Sequence, residues 1–277
     1  MGRTDENFCR MLEKKAVNTI KKYSKLPKTA SVLVACSGGK DSTAALYLSS
    51  KYFKNITAIT IDEEIAGYEK QLQGLEQLCS RLGVKLIKTS FSQEFGAPLP
   101  EIVKKTGMSP CSACGILKRW LINRKASDYD CVITGHNLED ETEAVLMNLL
   151  KSNMRELKSQ KPYLEELKNY GLTPRLKPLY FISEEDIRKY VRARGLPFLE
   201  KACPNRRDAF RQSVEDELKR LKFRNPKILE HIIRAHLKTI EKMNGPTEKI
   251  MRCRTCGMPS QQEECRACSI ISKMRAE

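Results

Sequence analysis

Three cysteines in two separated stretches of the sequence have the side-chain chemistry of soft metal ligands. Cys111 and Cys114 form a C-x-x-C pair in "SPCSACGILKRW", and Cys203 lies in "KACPNRR". Three thiolates that meet in space can hold an iron–sulfur cluster and leave one coordination position open for exchange. Two other interpretations remain. One is a catalytic disulfide pair of Cys111 and Cys203. The other is a structural zinc, for which no histidine nearby in the sequence supplies a fourth ligand.

A second set of cysteines lies near the end of the chain, in "CRTCGMPSQQEECRAC". Its two C-x-x-C pairs are separated by eight residues, a spacing typical of a tetrahedral structural zinc, with a second cluster as the alternative. The four ligands would be Cys253, Cys256, Cys265 and Cys268. The remaining cysteines occur singly and are interpreted as small buried hydrophobic residues: Cys9, Cys36, Cys79 and Cys131.

The stretch "VLVACSGGKDSTAAL" has the pattern of a phosphate-binding loop between a strand and a helix. Its glycines would let backbone N–H groups approach an anion, and the following helix would add its positive end. A kinase-type phosphate loop needs a glycine where this chain has Val34. Asp41 would repel phosphate unless it holds a metal ion or pyrophosphate has to leave. The alternative, an ordinary strand-to-helix turn, explains the six specific residues poorly.

A third polar stretch, "TGHNLEDETEAVL", also follows a strand and opens a helix. Its Gly135, His136 and Asn137 are expected at the same sheet edge as the glycine-rich loop, because parallel strands end at one edge. By itself, His136 would be interpreted as a residue of a helix-capping turn. Its position beside Gly135 and Asn137 favours a ligand-binding role.

Apolar strands and helices alternate along the first part of the chain. We predict strands at 31–36, 55–62, 84–90 and 129–135, and helices at 6–25, 41–53, 68–83, 111–127 and 138–151. This alternation indicates an α/β fold with a parallel sheet covered on both faces. Two successive helices are predicted after residue 200, at 209–223 and 226–243. The predicted segments are an N-terminal helix (1–25), a nucleotide-binding catalytic domain (26–205), a helical segment (206–246) and a zinc-binding module (247–277).

The charge of the chain favours a polyanionic partner. Its 50 Lys and Arg residues against 34 Asp and Glu residues give a formal net charge of +16. Nucleic acid is therefore favoured over a merely solubilising surface charge. The N-terminus has no secretory pattern, and no apolar run approaches the ~20 residues of a membrane helix. We expect a cytoplasmic protein that does not bind membranes.

The motif "SGGKDS" resembles that of the PP-loop ATP pyrophosphatases, which cleave ATP between its α and β phosphates and adenylate a substrate oxygen. This resemblance implies a parallel-sheet PP-loop domain of the adenine nucleotide alpha hydrolase-like type, with ATP and Mg²⁺ as its ligands. The nucleotide contacts that it implies are Ala35, Ser37, Gly38, Gly39, Lys40, Asp41, Ser42, Ile61, Gly135, His136 and Asn137.

The cysteine pattern resembles one branch of that family, the tRNA 2-thiolation enzymes, in which three cysteines hold a [4Fe–4S] cluster. The resemblance implies that Cys111, Cys114 and Cys203 are cluster ligands, and that Lys118 and Asp140 are catalytic. The branch has paired aspartates after its Gly-His-Asn run, whereas this chain has Glu139 as the first acid. Uridine-modifying members often carry a zinc finger at each end, whereas the N-terminus here has Cys9 and no C-x-x-C.

The predicted function is therefore ATP-dependent 2-thiolation of a tRNA pyrimidine, with uridine favoured. Expected partners are tRNA, held by Arg206, Arg207 and Arg211, and a sulfur donor: a carrier protein, a cysteine desulfurase or free sulfide. A homodimer is also expected. Two alternatives stay open. One is a cluster-free thiolase in which Cys111 and Cys203 pass a persulfide. The other is a zinc-bearing RNA-binding protein that only senses ATP.

Overall fold

The computed structural model describes residues 3–65, 68–199, 209–243 and 250–275. Cys203, Arg206 and Arg207 lie outside the described residues. The helices of the described ranges are α1 (Arg3–Tyr23), α2 (Lys40–Ser50), α3 (Tyr68–Leu82), α4 (Phe91–Phe95), α5 (Leu99–Thr106), α6 (Pro110–Lys125), α7 (Leu138–Leu150), α8 (Met154–Lys158), α9 (Glu184–Ala193), α10 (Ala209–Arg224), α11 (Ile228–Glu241) and α12 (Arg266–Arg275). The strands are β1 (Ser31–Ala35), β2 (Asn55–Asp62), β3 (Lys85–Ser90), β4 (Cys131–Ile133), β5 (Tyr163–Leu164), β6 (Arg175–Leu176), β7 (Met251–Arg252) and β8 (Pro259–Ser260).

The main sheet has the order β3-β2-β1-β4-β6-β5. All its neighbouring strands are parallel except β5, which pairs antiparallel with β6. The chain moves from β1 outward to β3 and then returns to place β4 on the other side of β1. In such open sheets, ligands bind at the carboxyl ends of the strands where the order reverses. The crevice between β1 and β4 is therefore where a ligand is expected.

The two faces of this sheet bury alternate residues of β1. Val32 and Val34 pack on one face with apolar residues of α1, α2 and α9, whereas Leu33 packs on the other with residues of α5 and α6. All three side chains are fully buried. Both faces are covered because successive side chains of a strand point to opposite sides. The predicted α/β fold with a mostly parallel sheet is thus confirmed.

Two further packing units complete the described part of the chain. Helices α7, α10 and α11 share a third apolar cluster, which includes Val145, Leu218 and Ile233. The C-terminal residues have no core of their own, because Ile270 and Met274 of α12 are buried in the same cluster as Leu117 of α6. Among the helices of the described ranges, none combines the length and the apolar character needed to cross a membrane.

Candidate nucleotide and metal sites

The loop after β1 is shaped to expose backbone N–H groups. Gly38 has φ 75°, a left-handed conformation that favours glycine, and Gly39 precedes α2 in extended conformation without a side chain to cap the helix. The Ser37 N–H donates to Ser42 Oγ at 3.2 Å, and the Ser42 hydroxyl donates to the Gly39 carbonyl at 3.0 Å. These bonds hold the loop around the start of α2, where a helix favours an anion.

Lys40 and Asp41 begin α2 as an ion pair. Lys40 Nζ lies 2.8 Å from Asp41 Oδ2 and 2.9 Å from Glu184 Oε1 of α9. Burial acts to lower the pKa of Lys40, but hydrogen bonds to the two carboxylates outweigh it and raise that pKa. Burial raises the pKa of Asp41, against the opposing effect of the Lys40 ammonium. The Lys40 ammonium and the Asp41 carboxyl group thus lie together at the start of α2, where a polyphosphate or a metal ion would reach them.

The loop after β4 contacts the start of α2 directly, as predicted from the parallel strands. A Cβ atom on Gly135 would lie 2.8 Å from the backbone N of Ser42 and 2.8 Å from the carbonyl carbon of Asp41. Asn137 Nδ2 donates to Asp41 Oδ1 at 3.1 Å. The structure thus brings together the two polar loops that the sequence predicted at one sheet edge. Ala35 and Ile61, near the ends of β1 and β2, lie toward the same edge.

His136 lies at the mouth of this crevice. Its ring reaches solvent, and its Nδ1 is 2.9 Å from Thr134 Oγ1. The protein around the rest of the ring disfavours its charged form, and the nearby cations of Lys177 and Arg175 add to this effect. Together they lower the pKa of His136 from its ordinary value. At neutral pH the ring is uncharged and can act as a hydrogen-bond donor or acceptor.

The acidic first turn of α7 holds neighbouring helices in place. Asp140 forms a capping box with Asn137, and its Oδ1 lies 3.6 Å from Arg211 Nη2. Glu139 accepts a hydrogen bond from the Glu184 N–H at 2.8 Å and pairs with Lys222 at 2.8 Å. Glu139, the departure from the paired aspartates, thus links α7 to α9 and α10. Arg211, expected on the tRNA backbone, has its guanidinium paired with acids of α7.

The N-terminal part of α6 carries two cysteines, Cys111 and Cys114. Cys111 is exposed and Cys114 is half-buried. Cys114 Sγ is 3.7 Å from Glu63 Oε1, and Glu63 also forms an ion pair with Lys118. Glu63 follows β2 directly and therefore lies at the carboxyl edge of the sheet. Cys114 and Lys118 are brought together there, Cys111 lies three residues before Cys114 on the same helix, and Cys203 is outside the described residues.

Sequence reasoning missed two residues of this region, Glu63 and Glu184. Glu63 contacts both Cys114 and Lys118, and Glu184 pairs with Lys40. For Glu63 a signal existed, because the three acids "DEE" at 62–64 lie at the carboxyl end of β2. Glu184 lies on a helix far along the sequence, and no local pattern connects it to Lys40.

The C-terminal cysteines form a compact four-sulfur site. The sulfur atoms of Cys253, Cys256, Cys265 and Cys268 all lie within 4.8 Å of one another. Backbone N–H groups of the site donate to its sulfurs, from Cys265 to Cys253 Sγ at 3.2 Å and from Cys268 to Cys265 Sγ at 3.4 Å. Four clustered and mostly buried sulfurs fit a tetrahedral metal ion held by thiolates.

The chain is similar to proteins of one family across most of its length. The sequence model of the PP-loop domain matches residues 11–220. The tRNA-5-methyluridine(54) 2-sulfurtransferase of Pyrococcus horikoshii is 33% identical, over 95% of this chain and 86% of that protein. The cytoplasmic tRNA 2-thiolation protein 1 of Anopheles gambiae is 30% identical, over 96% of this chain and 81% of that protein.

A solved structure has the same architecture. It is the U34-tRNA thiolase NcsA from Methanococcus maripaludis with its [4Fe–4S] cluster. It matches with a TM-score of 0.81 and 28% identity, over 96% of this chain and 88% of that chain. This similarity in fold agrees with the glycine-rich loop at the β1–β4 crevice and the paired thiols on α6. The chain therefore belongs to the PP-loop family and, within it, to the tRNA 2-thiolation proteins.

Proposed function

We propose that this protein is an ATP-dependent, AMP-forming tRNA sulfurtransferase that replaces the C2 oxygen of a pyrimidine, with uridine favoured. One observation carries the proposal: the thiol turn of α6 meets Glu63 at the sheet edge that also carries the glycine-rich loop. Adenylation and sulfur transfer would therefore share one crevice. The names of the relatives supply the substrate class, tRNA.

The crevice between β1 and β4 is the proposed ATP site. The N–H groups at the start of α2 would receive the phosphates, and Lys40 would turn from its carboxylate partners toward them. Asp41 would then be available to hold Mg²⁺, for which carboxylate oxygen is a suitable ligand. The other proposed nucleotide contacts are Ala35, Ser37, Gly38, Gly39, Ser42, Ile61, Gly135, His136 and Asn137.

Cys111, Cys114 and Cys203 are the proposed ligands of a [4Fe–4S] cluster. The first two thiols lie one helical turn apart on α6, and their soft sulfur chemistry fits iron. Such a cluster, held by three thiolates, would supply the sulfur-transfer chemistry of the reaction. The same cysteines could instead pass a persulfide, whose outer sulfur a cysteine desulfurase would transfer from its own persulfide.

The proposed reaction converts a poor leaving group into a good one. The C2 oxygen of the pyrimidine attacks the α-phosphorus of ATP and pyrophosphate leaves. A sulfur nucleophile then attacks C2, and AMP departs with the former C2 oxygen. Lys118, which Glu63 holds beside Cys114, would offset negative charge on the bound nucleotide or base. Asp140, at the start of α7, is the other residue to which we assign a catalytic role.

The remaining parts of the proposal concern assembly and location. The four C-terminal cysteines would hold a structural Zn²⁺, for which Cys₄ is a common ligand set. The partners would be tRNA and a sulfur donor, with the protein acting as a homodimer in the cytoplasm. The net charge of +16 agrees with binding of a polyanion.

The test compares Cys111→Ala, Cys114→Ala and Cys203→Ala with Cys79→Ala, a buried cysteine on α3. Each protein is purified without oxygen, and its iron and sulfide content and its formation of thiolated tRNA are measured before and after cluster reconstitution. We expect each of the first three variants to lose both iron and activity, and Cys79→Ala to retain both. Full thiolation by iron-free protein would contradict the cluster and favour the persulfide relay.

A further inference from the structure

Helix α6 connects the two cysteine sites of the described chain. Its first turn carries Cys111 and Cys114, and its middle carries Trp120, the one tryptophan of the sequence. The Trp120 indole Nε1–H donates to Cys256 Sγ at 3.4 Å. From Cys114 to Trp120 the helix rises by roughly 9 Å, less than two turns. A single rigid element therefore joins the paired thiols to a sulfur of the C-terminal site.

The packing around Trp120 fixes its ring on this helix. Its ring lies 5.7 Å from that of Phe95, and the Arg124 guanidinium lies 5.2 Å from the ring centroid. Residues of α12 are buried in the same apolar cluster as those of α5 and α6. The C-terminal tail, residues 250–275, therefore buries its apolar side chains against α5 and α6. The same contact stabilises α6.

We propose that Trp120 is a positioning residue that couples metal binding at the four C-terminal cysteines to the thiol turn of α6. Its N–H orients the Cys256 thiolate, as outer-shell hydrogen bonds do for metal ligands. When Zn²⁺ closes that site, α12 is fixed against α6, and the turn that carries Cys111 and Cys114 is held beside Glu63. The consequence for iron binding rests on the proposed function, whereas the consequence for zinc binding does not.

We expect metal binding in the tail to affect α6, because the tail has few other interactions that fix its structure. The short strands β7 and β8 contain two residues each, and the exposed Met251 contributes no core. Without the metal, four sulfurs in close proximity are joined only by weak hydrogen bonds, and the tail can loosen from the cluster that it shares with α6. Because α6 then loses packing contacts, the part of α6 that carries Cys111 and Cys114 is held less firmly beside Glu63.

The first experiment measures Zn²⁺ affinity by competition with a chromophoric chelator in the full-length protein. Trp120→Phe keeps an aromatic ring but removes the indole N–H, and Tyr129→Phe is the matched control in the same apolar cluster. We expect Trp120→Phe to weaken Zn²⁺ binding by roughly 10- to 100-fold and Tyr129→Phe to leave it unchanged. Unchanged affinity in Trp120→Phe, or an equal loss in both variants, would overturn the proposal.

A spectroscopic measurement separates the hydrogen bond from simple packing. With Co²⁺ in the four-cysteine site, the thiolate-to-metal charge-transfer band should shift to lower energy in Trp120→Phe, because Cys256 loses a hydrogen bond and becomes a stronger electron donor. Tyr129→Phe should leave the band in place. An unshifted band in Trp120→Phe would overturn the role of the N–H.

The second experiment uses the wild-type protein and therefore does not depend on a variant that folds. Removal of Zn²⁺ from the iron-free protein should change the fluorescence of Trp120, and return of Zn²⁺ should restore it. Iron is then loaded anaerobically with and without Zn²⁺. We expect severalfold less iron per chain without Zn²⁺, and equal loading would overturn the coupling. Failure of the zinc-loaded protein to bind iron at all would contradict the proposed function instead, while the zinc affinities would still decide the role of Trp120.

Discussion

At Gly135 the backbone of the first turn of α2 occupies the space that any larger side chain would need. The nearest atoms belong to Asp41 and Ser42 and are backbone atoms, which cannot rotate away as a side chain can. The close approach places the loop after β4 against the first turn of α2. The requirement for glycine here is one of space, since the two halves of the crevice meet at this residue.

Gly135→Ala should therefore push the loop after β4 away from the first turn of α2. We expect a loss of stability of about 1–3 kcal/mol, typical of overpacking, together with weaker ATP binding. Gly115→Ala on α6 is the control, because its Cβ would meet only the end of the flexible Arg119 side chain, at 3.4 Å. That variant should be neutral or stabilised by up to about 1 kcal/mol. Urea unfolding and ATP titration measure both effects, and wild-type behaviour of Gly135→Ala would show that the loops can move apart at little cost.

Replacing Asp41 by a neutral residue should raise the stability of the fold and lower its activity, and the gain in stability should depend on pH. Burial raises its pKa in the folded protein, so the folded state binds this proton more tightly than the unfolded chain does. The folded state therefore loses stability as pH rises through the titration of this carboxyl group. Asn at this position is neutral at every pH.

We expect Asp41→Asn to be more stable than the wild-type protein at neutral pH, and this advantage should shrink as pH falls through the usual carboxyl range. ATP-to-AMP turnover should be lost, because the proposed metal ligand is gone, while ATP binding should be affected less. Urea unfolding at several pH values tests the first part. A variant less stable than wild type at neutral pH would mean that the Lys40 ion pair outweighs burial.

Among single residues, those in a local motif could be predicted and those that arrive from distant elements could not. Asp41 and Asn137 were expected at one site because each follows a buried strand, and the structure joins them by a hydrogen bond of 3.1 Å. Glu184 lies on a helix about 140 positions later in the chain. Its contact with Lys40 is set by tertiary packing, which no local sequence pattern reveals. The predicted ligand roles of Cys111, Cys114 and Cys203 stay predictions.

At the scale of elements, hydrogen bonds at the N-terminus of α7 cap this helix and connect it to α2. Asn137 Oδ1 accepts from the Asp140 N–H at 3.0 Å and caps the helix, while Asn137 Nδ2 donates to Asp41. The Asn137 side chain thus caps α7 and also orients Asp41, the proposed metal ligand. Two substitutions can separate these contributions.

Asn137→Ser should keep the helix cap but lose the contact with Asp41, because the serine side chain is shorter. Asn137→Ala should lose both and cost about 1 kcal/mol of stability, the usual effect of removing a cap. Turnover should fall in both variants, and the free energy of unfolding should fall clearly only in Asn137→Ala. Equal stability of the two variants would contradict the capping role, and normal turnover in Asn137→Ser would contradict the role of the Asp41 contact.

Most of the long elements were predicted well, whereas helix α9 and the two-residue strands of the described chain were missed. Predicted helix 111–127 is α6 at Pro110–Lys125, and predicted strand 55–62 is β2 at Asn55–Asp62. Strand β6 has two residues and was missed, because so short a run shows no periodicity. It is a strand because β4 offers it hydrogen bonds, which are a property of the sheet.

At the scale of the whole molecule, the candidate site is assembled from segments that lie far apart in the sequence. The glycine-rich loop, the loop after β4 and the thiol turn of α6 come from separate parts of the sequence, and the order of the strands brings the two loops together. The tail packs behind α6 and supports it. The surplus of positive charge would draw a polyanionic substrate toward the protein.

The most direct test of the central claim measures AMP and thiolated nucleoside together in one reaction. The zinc- and iron-loaded protein is incubated without oxygen with tRNA, sulfide and ATP labelled at its α-phosphate. Digested tRNA is then analysed by mass spectrometry. We predict that AMP forms only when tRNA is present, and that its amount matches that of a pyrimidine in which sulfur has replaced oxygen. Thiolation without AMP formation, or tRNA binding with neither product, would contradict an adenylating tRNA sulfurtransferase.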